Sequence, residues 1–364
     1  MKIKYVTFVE KNIIFDQDTG LNLIKFLSLN KKKFFIFSMY PNTLYLSLKI
    51  FINFIKLLIN NSKYKNINKL NFLNFLYIIS FFKTTKPKNI LTYLDNSEIV
   101  STIAFNFPDI KIVSIQNGAR CNFELENTKL FLDNYYSFSL NEKKLLLSNN
   151  SKFRKIIPIG SISAKHFYLK NKNKKKEFDI CLVSEGGLES YSELGCSNKL
   201  EKKIKKSIDK MNFNLSKYCY ENNLKIAICM RRKNENLKLN YQNQFQKNCT
   251  IFEKSSKIYD GKTYEIMSKS KIITGFNTTC VRESWGFNKA IYIDYTGTKK
   301  LNEISNNEML IIRNQSYSYL KNKFDYLLSL SKSSYEKKIN KYSKNYMVKK
   351  SLKLIKLEIL KELN

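Results

Sequence analysis

Five short stretches carry the residue types that could act on a polar substrate. "YLDNS" (93–97) sets Asp95 and Asn96 directly after an apolar run, and "SIQNGAR" (114–120) does the same with Gln116, Asn117, Gly118 and Arg120. A carboxylate such as Asp95 is a candidate general base, Gln116 and Asn117 can donate to and accept from hydroxyls, and Arg120 can pair with an anion. Gly118 admits either a left-handed turn or the close approach of a ligand to the backbone. "CLVSEGG" (181–187) closes an apolar run on Ser184, Glu185 and Gly186, and "CMRRK" (229–233) closes one on Arg231 and Arg232, which suit phosphate.

The fifth stretch, "KIITGFNTTCVRESWGFNKAIYID" (271–294), is the longest. A strand pattern ends at Gly275, the polar run Asn277-Thr278-Thr279 follows, and a helix begins. The free N–H groups of a helix start favour an anion such as a diphosphate. A capping box opened at Thr279 would put Glu or Gln three residues on. Arg282 stands there instead and Glu283 comes next, which leaves Glu283 open to another partner such as a ribose diol. Arg282 opposes the helix dipole unless an anion lies nearby. Asp16, Asp18, Asp95 and Glu185 are the candidate bases, with Asn117 beside them.

Inventory removes several chemistries. His166 is the only histidine, so a multi-histidine metal site is excluded, and a Ser-His-Asp triad could form only around His166, which reads as a surface-loop residue. Neither G-x-x-x-x-G-K-[ST] nor G-x-G-x-x-G occurs. Seven cysteines form no C-x-x-C pair, and with no signal peptide in evidence they read as reduced thiols of a cytoplasmic protein. No cofactor or metal is expected. The net charge of +34 is spread through a chain rich in Lys, Asn and Ile, as codon bias in an AT-rich genome produces, and is not gathered into one nucleic-acid-binding stripe.

These loops need elements to position them. Apolar strand-like runs alternate with helical ones: strands at 2–10, 34–39, 89–94, 110–116, 135–140 and 155–159, then 179–183, 225–230, 250–253, 271–276 and 290–294. Asn117-Gly118 is a favoured hairpin dipeptide, yet no alternating strand follows it. The rhythm is that of βαβ units with parallel sheets, which puts the loops at the carboxyl edges of strands. Residues 1–167 form a first α/β domain, the charged stretch 168–178 a linker, 179–334 a second α/β domain, and 335–364 a C-terminal helix packing back on the first. The apolar, lysine-flanked stretches 44–59 and 70–82 are too short to span a membrane. They are read as buried helices or as an in-plane contact with an anionic membrane surface.

With these residues in place the chain resembles bacterial surface carbohydrate biosynthesis proteins, a group similar to GT-B glycosyltransferases. "YLDNS", "VSIQNGAR", "IPIGS" (157–161) and the block from Tyr264 to Asp294 carry the resemblance. It implies two Rossmann-like domains with parallel sheets facing a cleft. It also implies a metal-independent enzyme that moves a sugar from a nucleotide-activated donor to a glycan or lipid-linked acceptor. Ser184, Gly186, Arg231, Thr278, Thr279 and Glu283 then fall on the donor side, Glu283 holding the ribose. Asn96, Gln116, Gly118 and Arg120 line the cleft or acceptor side, and Asp95, Asn117 and Glu185 stand near the chemistry. Many relatives have His where this chain has Asn117. A nucleotide-sugar epimerase or polyol-phosphate transferase on the same scaffold is the alternative, and a non-catalytic basic nucleic-acid-binding protein is a second.

Overall fold

Short β-branched runs that are apolar at consecutive positions suit strands covered on both faces, and they build two parallel six-stranded sheets in the computed structural model. It describes residues 2–5, 12–16, 21–39, 43–60, 69–120, 130–148, 151–171, 173–184, 196–231, 233–253, 261–298, 301 and 307–364.

The first half contributes β1 (Lys2–Tyr5), β2 (Asn12–Asp16), β3 (Phe35–Ser38), β4 (Thr43–Leu46), β5 (Asn89–Thr92), β6 (Lys111–Ile115), β7 (Phe131–Ser137) and β8 (Lys152–Pro158). Six of them form a sheet in the order β3-β2-β5-β6-β7-β8, all parallel, while β1 and β4 pair separately. The side-chain period of two sends neighbours to opposite faces. Ile13, Ile90 and Ile112 enter one core with the helix Lys69–Thr85, whereas Ile14, Leu91 and Val113 enter the other with the helix Leu21–Leu27. Because β6 is parallel to both β5 and β7, Asn117-Gly118 follows a central parallel strand and turns no hairpin.

The second half repeats the plan with β9 (Phe178–Val183), β10 (Ile226–Cys229), β11 (Cys249–Phe252), β12 (Ser270–Gly275), β13 (Lys289–Ile293) and β14 (Ile311–Ile312), in the order β11-β10-β9-β12-β13-β14. In each sheet the chain starts in the middle, runs to one edge, and then crosses to the other side of its first strand. The order therefore reverses between β2 and β5 and again between β9 and β12. Crevices beyond the carboxyl ends at such reversals are where open α/β sheets bind ligands.

Three sequence expectations are corrected. Of the strand expected over 2–10, Lys2–Tyr5 is a strand of the small separate sheet and 6–10 lie outside the described residues, while "NIIFD" at 12–16 is the strand that starts the large one. A helix at Glu235–Phe245, capped by Asn234, fills a stretch left without an element. The single helix expected from Tyr335 divides into Lys332–Ser343 and Leu352–Leu363. Nothing local breaks it, since no Gly or Pro lies between them. Tertiary contacts do: Val348 N donates to Phe138 O, Asn141 N donates to Asn345 O, and Met347 is buried. Ser351 then caps the last helix. That helix lays Ile355, Ile359 and Leu363, four residues apart, on the core face of Ile14, Leu91 and Val113. Each buried aliphatic side chain contributes roughly 1.5–3 kcal/mol. Glu362 binds Lys111 at 2.7 Å, and Asn89 Nδ2 donates to the Leu363 carbonyl at 2.7 Å.

Candidate functional site

The loops after β5 and β6 form one rigid unit around Asp95, which is 1% exposed. Its Oδ1 accepts from Arg120 Nη2 at 2.6 Å and from Asn117 N at 3.1 Å, and its Oδ2 accepts from Tyr135 OH at 2.6 Å and Arg120 Nε at 3.1 Å. Burial and the adjacent Asp95 carboxylate push the Tyr135 hydroxyl well above its ordinary value, so it stays a donor. Two-point pairing with a guanidinium and two further donors occupy the carboxylate. In this geometry both oxygens of Asp95 are engaged, and the carboxylate ties the loop after β5 to the loop after β6.

Its neighbours are committed in the same way. Asn117 Nδ2 donates to Tyr93 O at 2.7 Å, and Asn117 Oδ1 accepts from Arg120 at 3.0 Å. Gln116 is fully buried, donating to Gly118 O at 2.7 Å and accepting from Phe138 N at 2.6 Å. Arg120 is spent on Asp95 and Asn117 and is not an open anion receptor. Asn96 is exposed. Gly118 does not use the left-handed region. A Cβ there would make ordinary contacts, 3.4 Å from Arg120 Nη1 and 3.5 Å from Thr279 Oγ1 of the other half, so neither φ nor space demands glycine at this position.

In the second half, β12 ends at Gly275, where a Cβ would come within 2.7 Å of Val183 O at the end of β9. Only glycine lets these two strand ends meet so closely. Thr278, not Thr279, caps the helix Thr279–Ser284, accepting from Cys280 N at 3.4 Å. At six residues, the helix has little dipole to offer a diphosphate. Thr279 Oγ1 instead accepts from Ala119 N at 3.0 Å, joining the loop after β6 to the loop after β12. Ser184 is buried and accepts from Tyr241 OH at 2.8 Å, while Arg231 is exposed at the end of β10. Asp18, Glu185, Gly186 and Arg232 lie outside the described residues. Asp16 is described and buried at the end of β2. His166 is on the helix Ile162–Lys170 against the Phe26 ring and not in a surface loop.

Two buried carboxylates cross between the halves. The anion that Arg282 requires is Glu142, on the helix Leu140–Ser148, which sequence reading missed. Arg282 Nη1 lies 2.7 Å from Glu142 Oε1, and Nη2 donates to Oε2 at 2.9 Å. Ser139 Oγ adds a bond at 2.6 Å, and Arg282 Nε donates to Tyr346 O at 3.1 Å. The fork pairs residues 140 positions apart, and no local pattern signals it.

Glu283, 1% exposed, has no ion-pair partner among the described residues. Its Oε1 accepts from Ser161 Oγ at 2.5 Å and from Ser163 Oγ at 3.3 Å, and its Oε2 accepts from Tyr264 OH at 2.8 Å. Burial pushes the carboxyl up to about 7, against the pull of these hydroxyls. Three protein hydroxyls thus occupy the oxygens that a ribose diol would need. Among the described residues no group of three or more His, Cys, Asp or Glu could hold a metal ion.

No protein-family model matches the chain, and no curated protein matches it significantly. Solved structures do. A UDP-GlcNAc 2-epimerase from Neisseria meningitidis bound to UDP-GlcNAc superposes with a TM-score of 0.56 at 14% identity, over 97% of this chain and 99% of that one. The Methanocaldococcus jannaschii UDP-GlcNAc 2-epimerase in complex with UDP-GlcNAc and UDP gives 0.55 at 14%, over 96% and 99%. A glycosyltransferase from Rickettsia africae gives 0.50 at 15%, over 97% and 98%. The chain has the GT-B-like fold of these proteins from end to end.

Proposed function

We propose that the chain is a glycosyltransferase of surface-glycan synthesis that holds a nucleotide-activated sugar between its two sheets. One observation carries this: the loop after β6, tied by Asn117 N to Asp95 in the loop after β5 at the first reversal, meets the loop after β12 at the second, with Ala119 bonded to Thr279 at 3.0 Å. A ligand crevice is expected at each reversal, and here the two become one composite crevice. The donor lies against Gly275, Thr278 and Thr279, with backbone N–H groups and threonine hydroxyls for the diphosphate and Arg231 at the rim. The acceptor enters from the side of Asn96 and Gly118. Asp95, Asn117, Gln116 and Arg120 fix the loop that meets it. Glu283 reaches a ribose only when Ser161, Ser163 and Tyr264 release it, which couples donor binding to a shift between the halves. Asp16, Asp18 and Glu185 remain as bases for the acceptor hydroxyl.

A second reading, a nucleotide-sugar epimerase, is favoured by the end-to-end likeness to the Neisseria and Methanocaldococcus epimerases. Incubation with nucleotide-activated hexosamines, with and without a glycan acceptor, separates the two. A transferase releases the nucleotide only when acceptor is present and lengthens the glycan. An epimerase inverts a sugar carbon with no acceptor at all. Neither product with any nucleotide sugar would contradict both readings.

A further inference from the structure

A cavity of about 290 Å³ lies beside the segment through which the chain returns to the first half, with Ser161 of the loop after β8 in its lining. Its walls come from the helix Ile162–Lys170, from Gly286-Phe287, and from the return segment at Met347–Leu352. The volume lies just under the roughly 300 Å³ at which small-molecule sites begin, which suits a small ligand. Leu169, Phe287, Met347 and Leu352 make most of the wall apolar, and Phe287 is held in place by stacking on Tyr168 at 4.5 Å.

One cationic side chain in this apolar wall stands out. Lys165 is 7% exposed, and its Nζ donates to the Ile159 carbonyl. No carboxylate pairs with it among the described residues. Lys350 also lines the cavity, but Glu358 takes its charge, and Lys349 is exposed at the rim. Buried ammonium groups ordinarily have an anionic partner, because desolvation penalises the charge. Burial, and then the nearby Lys350, push Lys165 down to about 7, as befits a cation lacking that partner. Gly160 (φ +77°) turns the chain tightly here, with no room for a Cβ beside Val348 O, so the Lys165 end of the cavity is built from closely packed backbone.

We propose that this cavity binds a small amphipathic anion, its carboxylate or phosphate head on Lys165 and its aliphatic body between Leu169, Phe287 and Met347. The site touches the return segment and the helix that carries Ser161 and Ser163. An occupant therefore bears on the same helix that holds Glu283.

Calorimetry and thermal shift with the full chain test this, using octanoate and octyl phosphate as probes and octanol, octylammonium and inorganic phosphate as controls. One or both anionic probes should bind one-to-one, and their ratio identifies the preferred head group. The controls should bind at least tenfold more weakly. Lys165→Met should cut probe affinity tenfold or more. Leu169→Trp, at a position 62% exposed and so tolerant of change, should block the mouth and do the same in a folded protein. Octanol binding as well as octanoate, or affinity unchanged in both variants, would overturn the proposal, as would no binding at millimolar probe.

Discussion

Asp95, in the loop after β5, and Glu283, on the helix Thr279–Ser284, are both buried carboxylates, and their partners separate them. Asp95 neutralises Arg120, so Asp95→Asn leaves a buried guanidinium without its counter-charge. Breaking such a pair costs about 3–5 kcal/mol. We expect a clear fall in Tm, whereas a residue acting only as a base would lose activity with Tm intact. Glu283 has hydroxyl donors only, and its carboxyl is raised from 4.5 to about 7. Folding therefore favours its protonated form. Its contribution to stability is full below about 4.5 and declines as pH rises toward about 7, by on the order of 3 kcal/mol. Glu283→Gln mimics the protonated state and should flatten that part of the stability–pH curve, making the variant at least as stable as the parent at pH 8. Denaturant titrations across pH 4–8 check this, and an unchanged slope would contradict it. Sequence spacing marked Glu283 as unexplained by helix capping. It could not supply Ser161, Ser163 and Tyr264, which lie 122, 120 and 19 residues away. Glu142 escaped notice because its partner is 140 residues distant.

At the level of elements, the two apolar stretches of the first half have different fates. The helix Lys69–Thr85 is core, with Leu76, Ile78, Phe81 and Phe82 fully buried. The helix Leu48–Ile59 packs on it through Phe54, Leu57 and Leu58, yet leaves Leu48, Ile52 and Ile59 on an outward stripe with Phe51 beside it. Leu48 and Ile59 are 77% and 76% exposed. Lys49 and Lys56 flank the stripe. An apolar ridge edged by lysines suits shallow insertion into an anionic leaflet, each lysine adding about 1 kcal/mol near the surface. Among the described residues no helix is long and apolar enough to cross a membrane. We expect co-sedimentation with anionic liposomes, weaker with neutral ones, and reduced by Leu48→Asp with Ile52→Asp. Equal, negligible pelleting in both would contradict it. Amphipathicity was hard to read here because both faces of this helix are apolar. The strand at Asn12–Asp16 was missed for a related reason: "KIKYVTFVE" just before it has the stronger strand pattern, and only tertiary pairing chooses between them.

Across the whole molecule, the parallel alternation was legible because buried parallel strands are continuous apolar runs, and those runs survive a strong compositional bias toward Lys and Asn. The join between the halves was not legible, since it depends on pairs such as Glu142–Arg282 and Ser161–Glu283 that only the folded chain assembles. Those pairs hold the strand-end loops of one sheet against those of the other, and the central claim is that a nucleotide-activated sugar binds there. Titration of the full chain with nucleoside mono- and diphosphates and their sugar esters, read by thermal shift and calorimetry, tests it most directly. A ligand at a hundred times its Kd adds about 2.7 kcal/mol to stability. We predict that at least one nucleoside diphosphate or its sugar ester raises Tm saturably with one-to-one stoichiometry, and that Thr279→Val, which also lowers the ligand-free Tm by removing the acceptor of Ala119 N, weakens that binding measured at a temperature where the variant is fully folded. No shift with any nucleotide, or binding indifferent to Thr279, would contradict the account.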